Sequence, residues 1–213
     1  MKLNSALSDA TSEIGRCRSF TPGWLENESI WLHMEYKYLL ELIKNGLYDE
    51  LFEDIKTAFI PFMNSDVYGR SILENSSFIA SSANPDESIH GKGLVARLSG
   101  STAEFLSMWK MIFFGNKIFT YENGILTFSP APAIPEYLIK DDNTMSATLF
   151  GTTKIIYHFS EKRNYFPSTY SIYKFRLSYF RGDTEEAEGD TLSGPTAVKI
   201  RDGEIRSIDI FIR

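Results

Sequence analysis

The period of the hydrophobic pattern changes once along the chain, near Phe114-Gly115, and this change constrains the fold more than any other feature. Before it, long apolar patterns have the helical period; after it, short segments with a period of two are separated by turn residues. The pattern predicts an α+β protein, with a helical segment over residues 1–115 and a β-domain over residues 116–213. We expect the β-domain to be an antiparallel sandwich.

The first half of the chain contains two consecutive helical patterns. The breaker Thr21-Pro22-Gly23 precedes IWLHMEYKYLLELIKNG, which we predict as a helix with Asn27 or Ser29 at its N-cap and a stop at Asn45-Gly46. The next stretch, LYDELFEDIKTAFI, is predicted as a helix that ends at Pro61. The short connection between them indicates an αα-hairpin.

The remaining patterns complete the predicted order of elements. A loop-rich stretch over residues 64–93 leads to a third predicted helix from Thr102 to Phe114. KIFTY and ILTFS, joined by Glu122-Asn123-Gly124, are typical of a β-hairpin. Further strands are predicted for ATLFGTTKIIYHF, SIYKFRLSYF, AVKIR and EIRSIDIFIR, and the acidic stretch RGDTEEAEGDTLSG is predicted as an exposed loop.

Composition excludes several classes of function. With 22 basic and 28 acidic residues among 213, the net charge is −6, so we expect no nucleic-acid partner. The single cysteine, Cys17, rules out an internal disulfide framework and suits a reducing compartment. The first residues lack the apolar run of a signal peptide or membrane span. The three histidines lack metal-ligand spacing. We therefore expect a soluble cytoplasmic protein without a metal or a membrane partner.

The stretch RLSGSTAEFLSMW places a glycine among three hydroxyl side chains at the start of a helix. Ser101 and Glu104 fit a capping box, which is one sufficient explanation. The other explanation is an anion at the helix N-terminus, because Gly100 allows close backbone approach and Ser99 adds a hydroxyl donor.

A second candidate is PGWLENESIWLHM, in which His33 follows Glu26 by seven residues. His33 is interpreted either as a core histidine bonded to a neighbour or as a hydrogen-bond donor to a phosphate.

Three stretches together resemble the inverting disaccharide phosphorylases of the cellobiose and chitobiose phosphorylase family and the related β-glucan phosphorylases. The first is the pattern from Pro22-Gly23 through Glu26-Asn27 to His33, followed by the helical hairpin. The second is LENSSFIA at residues 73–80, and the third is LSGST at residues 98–102, which is similar to that family's LTGSA turn. Their order and spacing agree over about residues 20–115. The resemblance implies that the helices are the last ones of an (α/α)₆-type barrel, closed by a C-terminal β-domain.

The resemblance also implies roles for individual residues. His33, Ser99 and Gly100 correspond to the residues that bind the attacking phosphate, and Ser101 adds a hydroxyl to the same turn. Arg97 stands where the family has tryptophan, where it would either add positive charge or face solvent. Glu26 and Glu74 are interpreted either as acceptors for sugar hydroxyls or as structural helix-end carboxylates.

Phosphorolysis with inversion requires one general acid, because phosphate is already an anionic nucleophile. The family's acid lies in an Asp-Trp-Asn-Asp-like stretch that this sequence lacks. We therefore expect the C-terminal fragment of a carbohydrate phosphorylase, inactive alone, with inorganic phosphate as co-substrate, no other cofactor, and a β-glucoside or β-glucan as ligand. The missing N-terminal part or another subunit would complete it. Two alternatives stay open: a carbohydrate-binding or interaction module without catalysis, and a structural remnant without a ligand.

Overall fold

A computed structural model describes residues 2–95 and 102–213 of the chain. It contains both helices and sheets, which confirms the α+β class. The chain divides into two compact units, Met1–Met108 and Trp109–Arg213, and the division falls within one helix.

Helices dominate the N-terminal unit. Its helices are α1 (Leu32–Lys44), α2 (Tyr48–Ala58), α3 (Ser65–Tyr68) and the first part of α4 (Thr102–Phe114). Its strands β1 (Ile30–Trp31), β2 (Phe78–Ile79) and β3 (Gly93–Leu94) form a small antiparallel sheet in that order. Short 3₁₀ segments lie at Ser12–Ser19, Ile60–Phe62 and Glu87–Ile89.

The predicted αα-hairpin is confirmed. Gly46, in the left-handed region with φ of 74°, ends the first helix at the predicted position. The two helices bury their apolar stripes, and the Tyr36 ring lies edge-on to that of Phe59 with 5.8 Å between centroids. Burying such aromatic side chains is the main contribution to the stability of a small helical unit.

The predicted start of α1 is wrong by two residues. Ile30 and Trp31 are a strand, because they pair with Ile79 and Phe78 far along the chain. Neither predicted N-cap residue caps the helix: Asn27 donates its side-chain amide to the Phe20 carbonyl, 2.7 Å away, and Ser29 donates to the Leu25 carbonyl.

Strands dominate the C-terminal unit. A three-stranded sheet contains β4 (Phe119–Glu122), β5 (Ile125–Phe128) and β10 (Leu192–Ser193). A five-stranded sheet has the order β6 (Thr144–Leu149), β7 (Thr153–His158), β11 (Ile205–Ile212), β8 (Ile172–Tyr179) and β9 (Thr184–Glu188). The fully buried Phe128 and Phe175 join the two sheets, with 6.4 Å between ring centroids.

The β4–β5 hairpin is confirmed, with both Asn123 and Gly124 at positive φ in its turn. The prediction of a wholly antiparallel β-domain is wrong, because β11 runs parallel to β7. The last strand enters the sheet between β7 and β8, so it is parallel to one neighbour and antiparallel to the other.

Two local predictions in this unit are also wrong. The stretch predicted as strand AVKIR is helix α5 (Pro195–Arg201), which starts with a proline in its first turn after Gly194, at φ of 64°. Proline has the φ that a helix start requires, and this outweighs the alternating pattern. The acidic stretch predicted as a loop contains strand β9, whose exposed glutamates face Lys174 and Arg176 of β8.

Candidate functional site

The loop that leads into α1, residues 20–31, is the candidate site. Trp24 and Asn27 exchange two backbone hydrogen bonds of 3.1 Å and so close a tight turn. Gly23, at φ of 75°, lies so close to the loop of Asn84 that a Cβ would be 2.6 Å from its backbone nitrogen. The loop is therefore held in one conformation against residues 81–84.

Two side-chain-bearing residues of this loop have left-handed backbone angles. Leu25 has φ of 50° and Glu28 has φ of 57°. Such conformations cost about 1–3 kcal/mol each and persist where the surroundings fix them, often beside ligands. Glu28 is fixed by the Lys2 ammonium at 2.8 Å and by a bond of 2.6 Å from its own N–H to the Asn4 side-chain oxygen.

Glu26 presents a buried carboxylate oxygen without a donor. Its Oε1 accepts a hydrogen bond from Arg16, whereas its Oε2 has no partner among the described residues. The adjacent Asn27 Oδ1 is likewise buried and without a donor in residues 2–95 and 102–213. A buried acceptor without a hydrogen bond costs about 1–3 kcal/mol, so both oxygens favour a ligand that donates hydrogen bonds.

His33 lies in the first turn of α1, a few residues after this loop, and its side chain is half-buried. Within the described parts of the chain its ring has no hydrogen bond or ion pair. Both interpretations of His33, as a core histidine bonded to a neighbour and as a donor to phosphate, stay predictions.

Glu74 has a different environment. Its carboxylate is 46% exposed and accepts a hydrogen bond from Arg70, four residues earlier. Its backbone carbonyl accepts a hydrogen bond of 2.7 Å from the Tyr68 hydroxyl. Glu26 and Glu74 thus have separate cationic partners, and the sugar-binding role of Glu74 stays a prediction.

Four of the predicted site residues, Arg97, Ser99, Gly100 and Ser101, lie outside the described residues. The helix that follows them begins at Thr102, as predicted. The amide turn at Gly100 and its approach to His33 stay predictions.

Sequence reasoning missed two residues of the site, Arg16 and Asn27. The sequence predicts Asn27 as a helix cap, although its position beside Glu26 in PGWLENESIWLHM is a signal for the site. Arg16 lies in a polar stretch without a clear pattern, so no local signal pointed to its bond with Glu26.

Comparison with models of known protein families finds none that matches the chain, and comparison with curated proteins finds no match. In the described parts of the chain, each helix is too short or too polar to cross a bilayer.

Proposed function

We propose that this chain is the C-terminal portion of an inverting glycoside phosphorylase that acts on a β-glucoside or β-glucan in the cytoplasm. His33 and the turn at Ser99, Gly100 and Ser101 bind the phosphate. Glu26 accepts hydrogen bonds from sugar hydroxyls.

The observation that carries this proposal is the buried Glu26 Oε2, which has no hydrogen-bond partner in residues 2–95 and 102–213 and lies in a strained loop that leads directly to His33. Sugars offer many hydroxyl donors, and a buried carboxylate oxygen without a donor is complementary to them. Inorganic phosphate has mainly acceptor oxygens, so it suits the donors of an imidazole and of backbone amides. The sugar acceptor Glu26 and the phosphate donor His33 therefore belong to one segment of 13 residues, the motif from Pro22 to Met34, and the turn at Gly100 adds the backbone amides.

In this reaction the phosphate attacks the anomeric carbon from the face opposite the leaving group. The enzyme must hold the phosphate in line and protonate the leaving oxygen. This chain would hold the phosphate in line, and an acid from outside its sequence would protonate the leaving oxygen.

Calorimetric titration with glucose 1-phosphate, which carries both sugar and phosphate, tests the proposal. We expect millimolar binding that weakens at least about tenfold in Glu26→Gln and in His33→Gln, since hydrogen bonds to charged groups contribute about 1.5–3 kcal/mol. The control Glu41→Gln alters a surface carboxylate paired with Lys44, and should bind like the parent protein. Equal affinity in Glu26→Gln and the parent protein would contradict the proposal.

A carbohydrate-binding module without catalysis is the second candidate. It is favoured by a groove of about 820 Å³ in the C-terminal unit, where Tyr121 of β4, 72% exposed, lies with Leu126, Pro195 and Val198. An exposed aromatic ring offers an apolar face and a polar tip to a ligand. If Tyr121→Ala abolishes binding of phosphate-free cellobiose and Glu26→Gln does not, this second function is the correct one.

A further inference from the structure

The N-terminal unit contains a pocket of about 560 Å³, a volume within the range of small-molecule sites. The described residues that line it come from the start of the chain, β1, the end of α2, the segment before α3, α3 itself, β2, and the segment between β2 and β3. They are Lys2, Ile30, Lys56, Thr57, Met63, Asn64, Val67, Ile79, Ala80, Ser81, Ser82, His90 and Gly91. His33 and Glu26 are not among them.

The charge of this lining has one sign. Lys2 and Lys56 contribute two ammonium groups, and the described lining contains no carboxylate. Each lysine has a partner outside the lining: Lys2 with Glu28 and Lys56 with Glu53, both at 2.8 Å. A lysine ammonium has three N–H donors, so each lysine can bind an anion in the pocket while it keeps its carboxylate partner.

His90 adds a third polar group whose tautomer follows from its hydrogen bond. Its Nε2 lies 2.7 Å from the carbonyl oxygen of Asn84, and a carbonyl only accepts, so Nε2 donates. The other ring nitrogen, Nδ1, has no hydrogen-bond partner among the described residues. In this tautomer Nδ1 is an acceptor.

Backbone hydrogen bonds and close packing form the wall beside His90. The N–H of Gly91 donates to the Ala80 carbonyl at 2.9 Å, and the N–H of Ala80 donates to the Lys92 carbonyl at 3.0 Å. A Cβ at Gly91 would be 2.6 Å from a methyl carbon of Val67. The backbone here approaches α3 closely, so a ligand meets a formed cavity with little ordering cost.

We propose that this pocket binds a phosphate monoester with a small apolar body. The two lysines donate hydrogen bonds to the phosphate, His90 Nδ1 accepts one from a protonated phosphate oxygen, and Ile30, Val67 and Ile79 contact the apolar part. The site stands independently of the phosphorylase proposal, because none of its residues belongs to the predicted phosphate turn or to its histidine.

Titration with phenyl phosphate, monitored by calorimetry, tests this site in the full chain. We expect Lys56→Gln and Lys2→Gln each to weaken binding about fivefold or more, and His90→Gln to weaken it about threefold. Lys44→Gln is the matched control, since Lys44 is 45% exposed and pairs with a glutamate three residues away, as Lys56 does at 44%. Parent-like affinity in the double variant Lys2→Gln/Lys56→Gln, with a native circular dichroism spectrum, would overturn the proposal.

Two further probes separate the ester from its parts. Inorganic phosphate and phenol should each bind at least tenfold more weakly than phenyl phosphate; equal affinity of either one would overturn the proposed class of ligand. In the His33→Gln variant, Lys2→Gln and Lys56→Gln should each still weaken phenyl phosphate binding about fivefold or more. If His33→Gln alone abolishes that binding while the lysine variants do not change it, the ligand occupies the phosphorylase phosphate site and this pocket is not its site.

Discussion

Among the described glycines, Gly93 leaves the least room for a side chain. A Cβ at this position would overlap the ring of Tyr68, which is fully buried. The Tyr68 ring cannot move away easily, because its hydroxyl donates to the Glu74 carbonyl and lies 2.9 Å from the Ser76 hydroxyl oxygen. Burial also raises the pKa of Tyr68, which keeps that hydroxyl protonated as a donor at neutral pH.

We therefore expect Gly93→Ala to lower the free energy of unfolding by about 3 kcal/mol, the upper end for overpacking a core. Urea unfolding monitored by circular dichroism measures this. Gly124→Ala is the control: its Cβ would meet open space, and only its φ of 82° would cost about 1 kcal/mol. Equal destabilisation by the two substitutions would show that the Tyr68 contact is unimportant.

The sequence predicts the individual residues of the candidate site only in part. The glycine of Pro22-Gly23 was predicted as a breaker, and its close approach to Asn84 accounts for it. The left-handed angles at Leu25 and Glu28 could not be predicted, because both residues normally avoid that region. The surroundings fix them through long-range bonds, such as that from Lys2 to Glu28.

At the scale of the elements, a buried hydrogen bond within the C-terminal unit connects the end of α4 to the five-stranded sheet. The Tyr157 hydroxyl of β7 donates to the Phe113 carbonyl at 2.7 Å. Complete burial raises the pKa of Tyr157 well above its ordinary value, so the hydroxyl stays a donor.

We expect Tyr157→Phe to cost about 1–3 kcal/mol, because it leaves a buried carbonyl without its donor. Tyr179→Phe is the matched control: that hydroxyl donates to the exposed Glu185, and burial, with this bond, raises the pKa of Tyr179 to about 12. Thermal unfolding should show the larger loss for Tyr157→Phe. The reverse order would contradict this account of the contact.

Strand β9 is held to β8 by a cluster of opposite charges. Glu186 lies 2.8 Å from the Lys174 ammonium and 2.9 Å from the Arg176 guanidinium, and these hydrogen bonds lower the pKa of Glu186 below its ordinary value of 4.5. A lowered pKa of an acid in the folded state stabilises that state above the unfolded pKa. The stabilisation is lost as pH falls through the folded-state value.

Glu186→Gln should therefore lower the melting temperature at neutral pH, and the difference from the parent protein should vanish once the pH is below the lowered folded-state pKa of Glu186. The control Glu188→Gln removes a charge from the same strand without breaking this cluster. A melting-temperature difference for Glu186→Gln that persists unchanged at low pH would contradict the electrostatic origin.

Elements with strong local signals were predicted correctly, and those fixed by distant partners were not. Helix α4 and the β4–β5 hairpin follow from periodicity and from Asn123-Gly124. The parallel pairing of β11 with β7 could not be predicted, because the local sequence does not show between which two strands the last segment is inserted. Local pattern alone cannot separate Ile30–Trp31 as a strand from the helix that follows it.

On the scale of the whole molecule, the two units combine a helical hairpin with a mixed β-sheet, in agreement with the α+β prediction. The barrel origin and the sandwich arrangement stay predictions. The proposed function accordingly depends on the site around residues 20–33.

The whole chain should release no glucose 1-phosphate from cellobiose or laminaribiose with phosphate present. The sequence contains no counterpart of the acid that the resemblance requires to protonate the leaving oxygen. Enzymatic detection of glucose 1-phosphate measures this. Sustained release, abolished by an Asp→Asn change within the chain, would identify an acid that this account lacks.

The central claim is that the His33 imidazole and the amide of Gly100 bind one phosphate ion. Nuclear magnetic resonance titration with inorganic phosphate tests it most directly, with His158, which is paired with Asp209 at 2.6 Å, as an internal reference. The account predicts that the His33 ring signals and the Gly100 amide signal shift together with one dissociation constant, and that His33→Gln abolishes the Gly100 shift. Unchanged His33 signals at saturating phosphate, or two unequal constants, would contradict it.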